Sequence, residues 1–144
     1  MKQEITVKAF FLSIFLSIVL SSAMAYLGLY AGMTISASIP AAIMSMGILK
    51  LFRESNILEN NIVQTAASAG ESLAAGVIFT IPALLLIGYW DTIDYWEVTK
   101  IAMVGGILGA LFTVPLRRAL ILKANLRFPE GVATAAVLKT GHES

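Results

Sequence analysis

The sequence predicts an all-α integral membrane protein: four transmembrane helices, two of them interrupted by Pro or Gly, plus a short re-entrant or truncated C-terminal helix. Three observations carry this. Of 144 residues 58% are hydrophobic and only 13% charged, against about 25% charged in ordinary soluble domains. The mean hydropathy is +0.83. Apolar stretches of about 20 residues, the length that crosses a hydrocarbon core of about 30 Å, recur four times, at Ala9–Gly28, Met33–Phe52, Asn61–Gly88 and Val98–Leu116.

The first span follows Lys2 and Lys8 and runs through "FFLSIFLSIVL". With Ala23-Met24-Ala25 behind it, it also has the look of a cleavable secretory signal. The membrane-spanning segments that follow, and the charge alternation that would be upset by removing it, favour a retained span. The second is interrupted by Pro40, just after the hydroxyl-rich "TISAS". The third is over-long: 28 residues would rise about 42 Å. It should therefore tilt, project, or break near Gly70 or Pro82. Breaks of this kind are tolerated at membrane depth where neighbouring helices, hydroxyls or water satisfy the freed backbone. Ile-Pro-Ala recurs in "SIPAAIM" and "TIPALLL", a faint repeat that would suit a duplicated helix pair. Past the fourth span, Pro129 and Glu130 open a short helix over about 129–140. They suit the first turn and the positive end of a helix respectively.

Orientation follows from Lys and Arg in short connections. Lys2 and Lys8, then Lys50 and Arg53, then Arg117, Arg118, Lys123 and Arg127 fall on one side if four spans alternate. The remaining loop, "GYWDTIDYWEVTK", has three acids and an aromatic belt of Tyr89, Trp90, Tyr95 and Trp96. The expected location is the cell inner (plasma) membrane, multi-pass, with a cytoplasmic N-terminus. Arg117 and Arg118 read as inner-face anchors.

Net charge is near +1, with no basic excess to suggest nucleic acid. Zero cysteines exclude disulfides and thiolate metal sites, and the lone His142 lies within the last three residues. No His/Asp/Glu cluster has metal-ligand spacing and no nucleophile has a base nearby, so neither an enzyme nor a cofactor is expected.

On the third helix Asn60, Gln64, Ser68 and Glu71 fall within an arc of about 80°, while Val63, Leu73 and Ile78 are expected to point elsewhere. An acid near the midplane costs about 2.5 to 3.5 kcal/mol on insertion scales. Glu71 must face a partner or a wet cavity. The functional reading is a protonatable carboxyl coupling proton movement to transport; the bland one is a polar bridge between helices. Asn61, Ser36, Ser38 and Pro40 join Asn60, Gln64, Ser68 and Glu71 as candidates for lining a substrate or proton pathway. Glu130 reads as a helix-start charge.

Small residues recur at four-residue spacing: Gly28 with Gly32, Gly105 with Gly109, and Gly70 with Ala66 and Ala74. Such faces let helices approach closely. Four spans with so many of them imply packing against more helices than the chain contains, from a homo-oligomer or the remainder of a larger protein.

With these motifs assembled, the chain resembles the oligopeptide transporter superfamily, which includes the plant yellow stripe-like carriers, and most resembles its prokaryotic branch. The resemblance rests on "YLGLYAGMTISASIPAAI" (26–43), "ILENNIVQTAASAGESLAAGVIFTIPALLLIG" (57–88), "PLRRALI" (115–121) and "FPEGVATAAVLKTG" (128–141), about half of the chain in all. It implies proton-coupled symport of small peptides, glutathione-like thiols or metal–chelate complexes. It also implies a fold with many more spans, so that residues 1–144 would form one membrane unit, the N-terminal part of a larger polytopic transporter. The rival reading is a small accessory membrane subunit that assembles through its small-residue faces.

Overall fold

Free backbone groups at a helix end inside a bilayer have no water to turn to, so the chain itself must answer them. The computed structural model describes residues 5–52 and 56–143. Its helices are α1 (Val7–Ala31), α2 (Ser38–Lys50), α3 (Ile57–Leu86), α4 (Tyr95–Leu116), which continues into a π-helical stretch at Arg117–Lys123, and α5 (Pro129–Glu143). Among the described residues there is no strand. The expectations attached to Lys2 and Arg53 lie outside the described residues.

Among the described residues three helices are long and apolar enough to cross a membrane: α1, α3 and the run Tyr95–Lys123. The second expected span is corrected. In place of a helix over Met33–Phe52 the chain forms the 13-residue α2, preceded by non-helical residues 33–37. Thirteen residues rise about 20 Å, short of a hydrocarbon core. The cause is local. Gly32, at φ 69°, ends α1 in the left-handed region and returns its N–H to the Gly28 carbonyl. The ring of Pro40 would collide with the Ser36 carbonyl in a helix continued backwards, whereas in the first turn of α2 it is harmless. The other expected break does not occur. α3 runs unbroken for 30 residues through Gly70 and Pro82. The two Ile-Pro-Ala tripeptides thus occupy different settings, one in a first turn and one deep in a helix.

The chain divides into two units, Met1–Ala75 with Pro129–Ser144, and Gly76–Phe128. In the first, Ser38 meets Ser68 and Ser45 meets Asn60, so α2 runs antiparallel to α3. The start of α1 and the end of α2 share an apolar groove lined by Phe11, Phe15, Ile48 and Phe52. Thr6 meets Glu59 and Ser17 lies against Gly70, so α1 runs parallel to α3. α5 runs parallel to α2, with Glu130 at Ser36 and Gly141 at Met46. The core is built largely of small residues, Ala9, Ala37, Ala41 and Ala67, filled out by Leu16, Leu20, Leu49 and Val63.

The closest approach is at Gly70, where a β-carbon would run into the Ser17 hydroxyl and meet that of Ser21 at 3.0 Å. Glu59 ties the starts of α1 and α3. It completes a reciprocal cap with Asn56, accepting its backbone N–H at 3.2 Å while the Asn56 side chain accepts from Leu58, and it also accepts the Thr6 hydroxyl at 2.5 Å. The pattern Asn-x-x-Glu before an apolar run is the sequence mark of such a cap.

In the second unit, α3 is closed off two residues past its end by Gly88, φ 72°, whose neighbour Tyr89 returns its N–H to Leu84 while Gly88 returns its own to Leu85. This double closure satisfies the last carbonyls and requires a residue tolerant of positive φ. Asp94 caps α4, accepting from Trp96 and Glu97 at 2.8 and 3.0 Å. α4 buries no residue, and a β-carbon at Gly105 or Gly109 would meet nothing within 4 Å.

Overpacking of this kind costs about 1–3 kcal/mol, so Gly70→Ala should lower stability by that order in denaturant unfolding in detergent micelles. Adding Ser17→Ala should restore part of the loss, since the nearest obstructing atom is the Ser17 hydroxyl; no restoration would place the strain elsewhere.

Candidate functional site

Glu71 is the fifteenth of the thirty residues of α3, half-way along it, and is buried at 6% exposure. Asn60 and Gln64 on the same stripe are buried, Ser68 is half-buried and Asn61 is exposed. The expectation for the other side of α3 needs correction. Val63 is fully buried and Ile78 is buried too; Leu73 remains partly exposed. Eighteen residues are five whole turns, so Ile78 lies in line with Asn60 rather than away from it.

At the lower end of the stripe, Asn60 accepts the Ser45 hydroxyl at 3.0 Å, and its own amide nitrogen donates to the Asn56 carbonyl at 3.2 Å. Gln64 Oε1 lies 3.4 Å from the Thr65 hydroxyl, whose shorter bond, 2.7 Å, goes to the Asn61 carbonyl. Of these only the Ser45–Asn60 bond joins two helices; the others stay within α3 and the residue before it.

The upper end is different. α2 begins here with Ala37 as its N-cap, a residue with no side chain able to hold the free N–H groups. The capping comes from elsewhere in the chain. The Glu71 carboxylate accepts the Ala37 N–H across the helix pair. The Ser36 hydroxyl oxygen accepts the Ser38 N–H at 3.3 Å. Ser38 and Ser68 hydroxyls are 3.0 Å apart, and Ser36 and Ser38 hydroxyls 3.2 Å apart. Pro40 stands in the first turn just beyond.

The first turn of α5 closes the group. Glu130 is exposed, yet its carboxylate accepts a hydrogen bond from Ser36, and Ser38 also bonds to it. Glu71 and Glu130 are close enough to repel one another. Two helices therefore start beside a buried carboxylate half-way along a third, and both present their positive ends to it. Ser36, Ser38, Ser68 and Glu71 are brought together; Asn60 and Gln64 lie further down the stripe, and Asn61 lies off it. The role of Glu130 here was not legible in the sequence. Its partner Ser36 is 94 positions away, and nothing local marks the pairing.

The serine hydrogen bonds, that of Ser36 first and then that of Ser38, hold the Glu130 carboxyl below its ordinary value of 4.5. A carboxylate depressed in the folded state contributes stability that is present above its unfolded value and is lost as pH falls through the folded one. The melting temperature of Glu130→Gln should therefore lie below that of the wild type at neutral pH, and the gap should close as pH falls from about 4.5 downwards. A gap that is constant across this range would contradict the assignment.

The sequence profile described as "OPT oligopeptide transporter protein" matches residues 4–144. A Haemophilus influenzae protein, provisionally named an oligopeptide transporter, is 52% identical over 106 residues, covering 74% of this chain and 17% of its own length. The chain thus spans about a sixth of the length of that relative. No solved structure matches it. The family is one of transporters rather than enzymes, and three apolar helices of spanning length make this a multi-pass membrane protein. By a profile match over nearly its whole length and by this identity, the chain belongs to the oligopeptide transporter family.

Proposed function

We propose that this chain forms part of a larger polytopic, proton-coupled symporter that carries oligopeptides or metal–chelate complexes across the cell inner membrane, with its N-terminus cytoplasmic. One observation carries the reading: the starts of two short helices, α2 and α5, meet beside the buried Glu71, half-way along a membrane-crossing helix. Discontinuous helices whose positive ends point at the midplane are how many secondary transporters hold a charged substrate group. An intramembrane acid beside them is a natural coupling site. In this reading Glu71 carries the coupling proton, while Ser36, Ser38 and Ser68 line the path.

Peptides come first among the substrate classes, because the similar Haemophilus influenzae protein is named for them. Support for the orientation comes from the helix directions: α1 starts where α2 ends, so Lys8 and Lys50 lie at the same end of the first unit, as a cytoplasmic cluster requires.

The accessory-subunit reading draws on one specific feature, the bond between Glu71 and the Ala37 N–H, which is a structural bridge in its own right. Uptake of a labelled peptide into proteoliposomes under an imposed proton gradient separates the two. Glu71→Gln should bring uptake down to the level of empty liposomes while the protein remains folded. Wild-type uptake with weakened helix assembly would favour the subunit.

A further inference from the structure

Glu130 is left without a task by the reading above, although its carboxylate is built into the same cluster. Between it and Ser68 runs an unbroken series of hydroxyls: Ser36 donates to Glu130, Ser36 and Ser38 are 3.2 Å apart, and Ser38 and Ser68 are 3.0 Å apart. Each hydroxyl has one proton to give and two lone pairs. Ser36 is placed to donate both to the carboxylate and to Ser38, so its one proton can serve either. Ser38 accepts from Ser36 in this arrangement, which leaves its own proton for Glu130 or for Ser68. In the Ser38–Ser68 pair either hydroxyl can donate. The series is continuous from α3 to Glu130, and rotation of its hydroxyls sets the direction in which a proton moves. Its last gap is short as well. Ser68 and Glu71 are three residues apart on one helix face, where β-carbons lie about 5–6 Å from each other.

We infer that Ser68, Ser38 and Ser36 form a proton relay between the buried Glu71 and Glu130, which serves as its other terminus. This rests on the proposal that Glu71 takes up and releases a proton. When protonated Glu71 turns to the Ser68 hydroxyl, its O–H bond breaks as Ser68 gains that proton and passes its own to Ser38. Ser38 hands its proton to Glu130 directly or through Ser36. Every hydroxyl gains one proton and loses one. The net change is protonated Glu71 and ionised Glu130 becoming ionised Glu71 and protonated Glu130, with no other bond altered. Repulsion between the two carboxylates favours a single negative charge shared by the pair. Among the described residues of α2 and α5 the other charges stand off: α2 presents serines at this end and Lys50 at the other, and Lys139, His142 and Glu143 occupy the far end of α5.

The test reads the proton directly. The protein in lipid nanodiscs is taken through a rapid pH drop, and the carboxyl C=O stretch is followed by time-resolved infrared absorption. The Glu71 band is assigned by its loss in Glu71→Gln. Ser38→Ala should slow the appearance of that band about a hundredfold, near the lower end of what a positioned proton-transfer group contributes, while leaving its final amplitude unchanged. Ser38→Thr, which keeps the hydroxyl, should restore the rate. Ser68→Ala, an easy substitution within a helix, should slow it equally, and Glu130→Gln should match both. Wild-type rates in Ser38→Ala or Ser68→Ala would overturn the relay. The outcome does not depend on transport: peptide uptake indifferent to Glu71→Gln would sink the symport reading while leaving these rates standing.

Discussion

The structure depends on the need to answer backbone N–H groups where a helix begins inside a bilayer. α2 starts beside the middle of α3, a helix of membrane-spanning length, and its own N-cap is an alanine. An unanswered polar group there costs several kcal/mol. The chain supplies acceptors from two other places, a carboxylate from the middle of α3 and a hydroxyl from the segment before α2, and the first turn of α5 accepts in turn from that hydroxyl. Much of the rest follows. The half-length helix, the central acid and the parallel docking of α5 on α2 are one arrangement seen from three elements.

That arrangement requires helices to lie close together, and the composition makes this possible. Alanine, glycine and serine fill the positions where α1, α2 and α3 meet. Apolar association drives little in lipid, so close backbone approach and interhelical hydrogen bonds hold the helices. Ser17 against Gly70 and Ser45 against Asn60 show both at work. Each such bond is worth about 0.6 kcal/mol on average in a membrane. Several together suffice for a fixed assembly, while each remains weak enough to be remade during a conformational change.

In the proposed function the polar cluster would have to meet two demands that usually conflict. A structural bridge wants a fixed charge state, whereas a coupling site wants one that can change. Glu71 lies beside a backbone N–H with a second carboxylate near by, one helical turn from Ser68, whose hydroxyl pairs with that of Ser38. Hydroxyls donate or accept as needed, so the cluster can satisfy a carboxylate and a carboxylic acid alike. A lysine or arginine in the same place would lock Glu71 in its ionised form. The serine-rich "TISAS" segment therefore suits a site whose protonation varies.

The sequence by itself determined the class of the molecule and the most informative residues. Twenty-residue apolar runs are a direct reading of bilayer thickness, and a lone acid among alanines is conspicuous because its insertion is costly. Helical period placed Asn60, Gln64, Ser68 and Glu71 on one face, and Pro40 and Gly32 marked the interruption before α2. The tertiary structure alone decided that α2 is half a span and that α3 survives Gly70 and Pro82. It alone showed that Val63 and Ile78 are buried and that Glu130 belongs with Ser36 and Ser38. Periodicity reports which side chains share a face; it does not say what lies opposite. Partners 30 and 94 positions apart meet because helix directions and close approach bring them together. Those depend on packing between elements rather than on any local pattern.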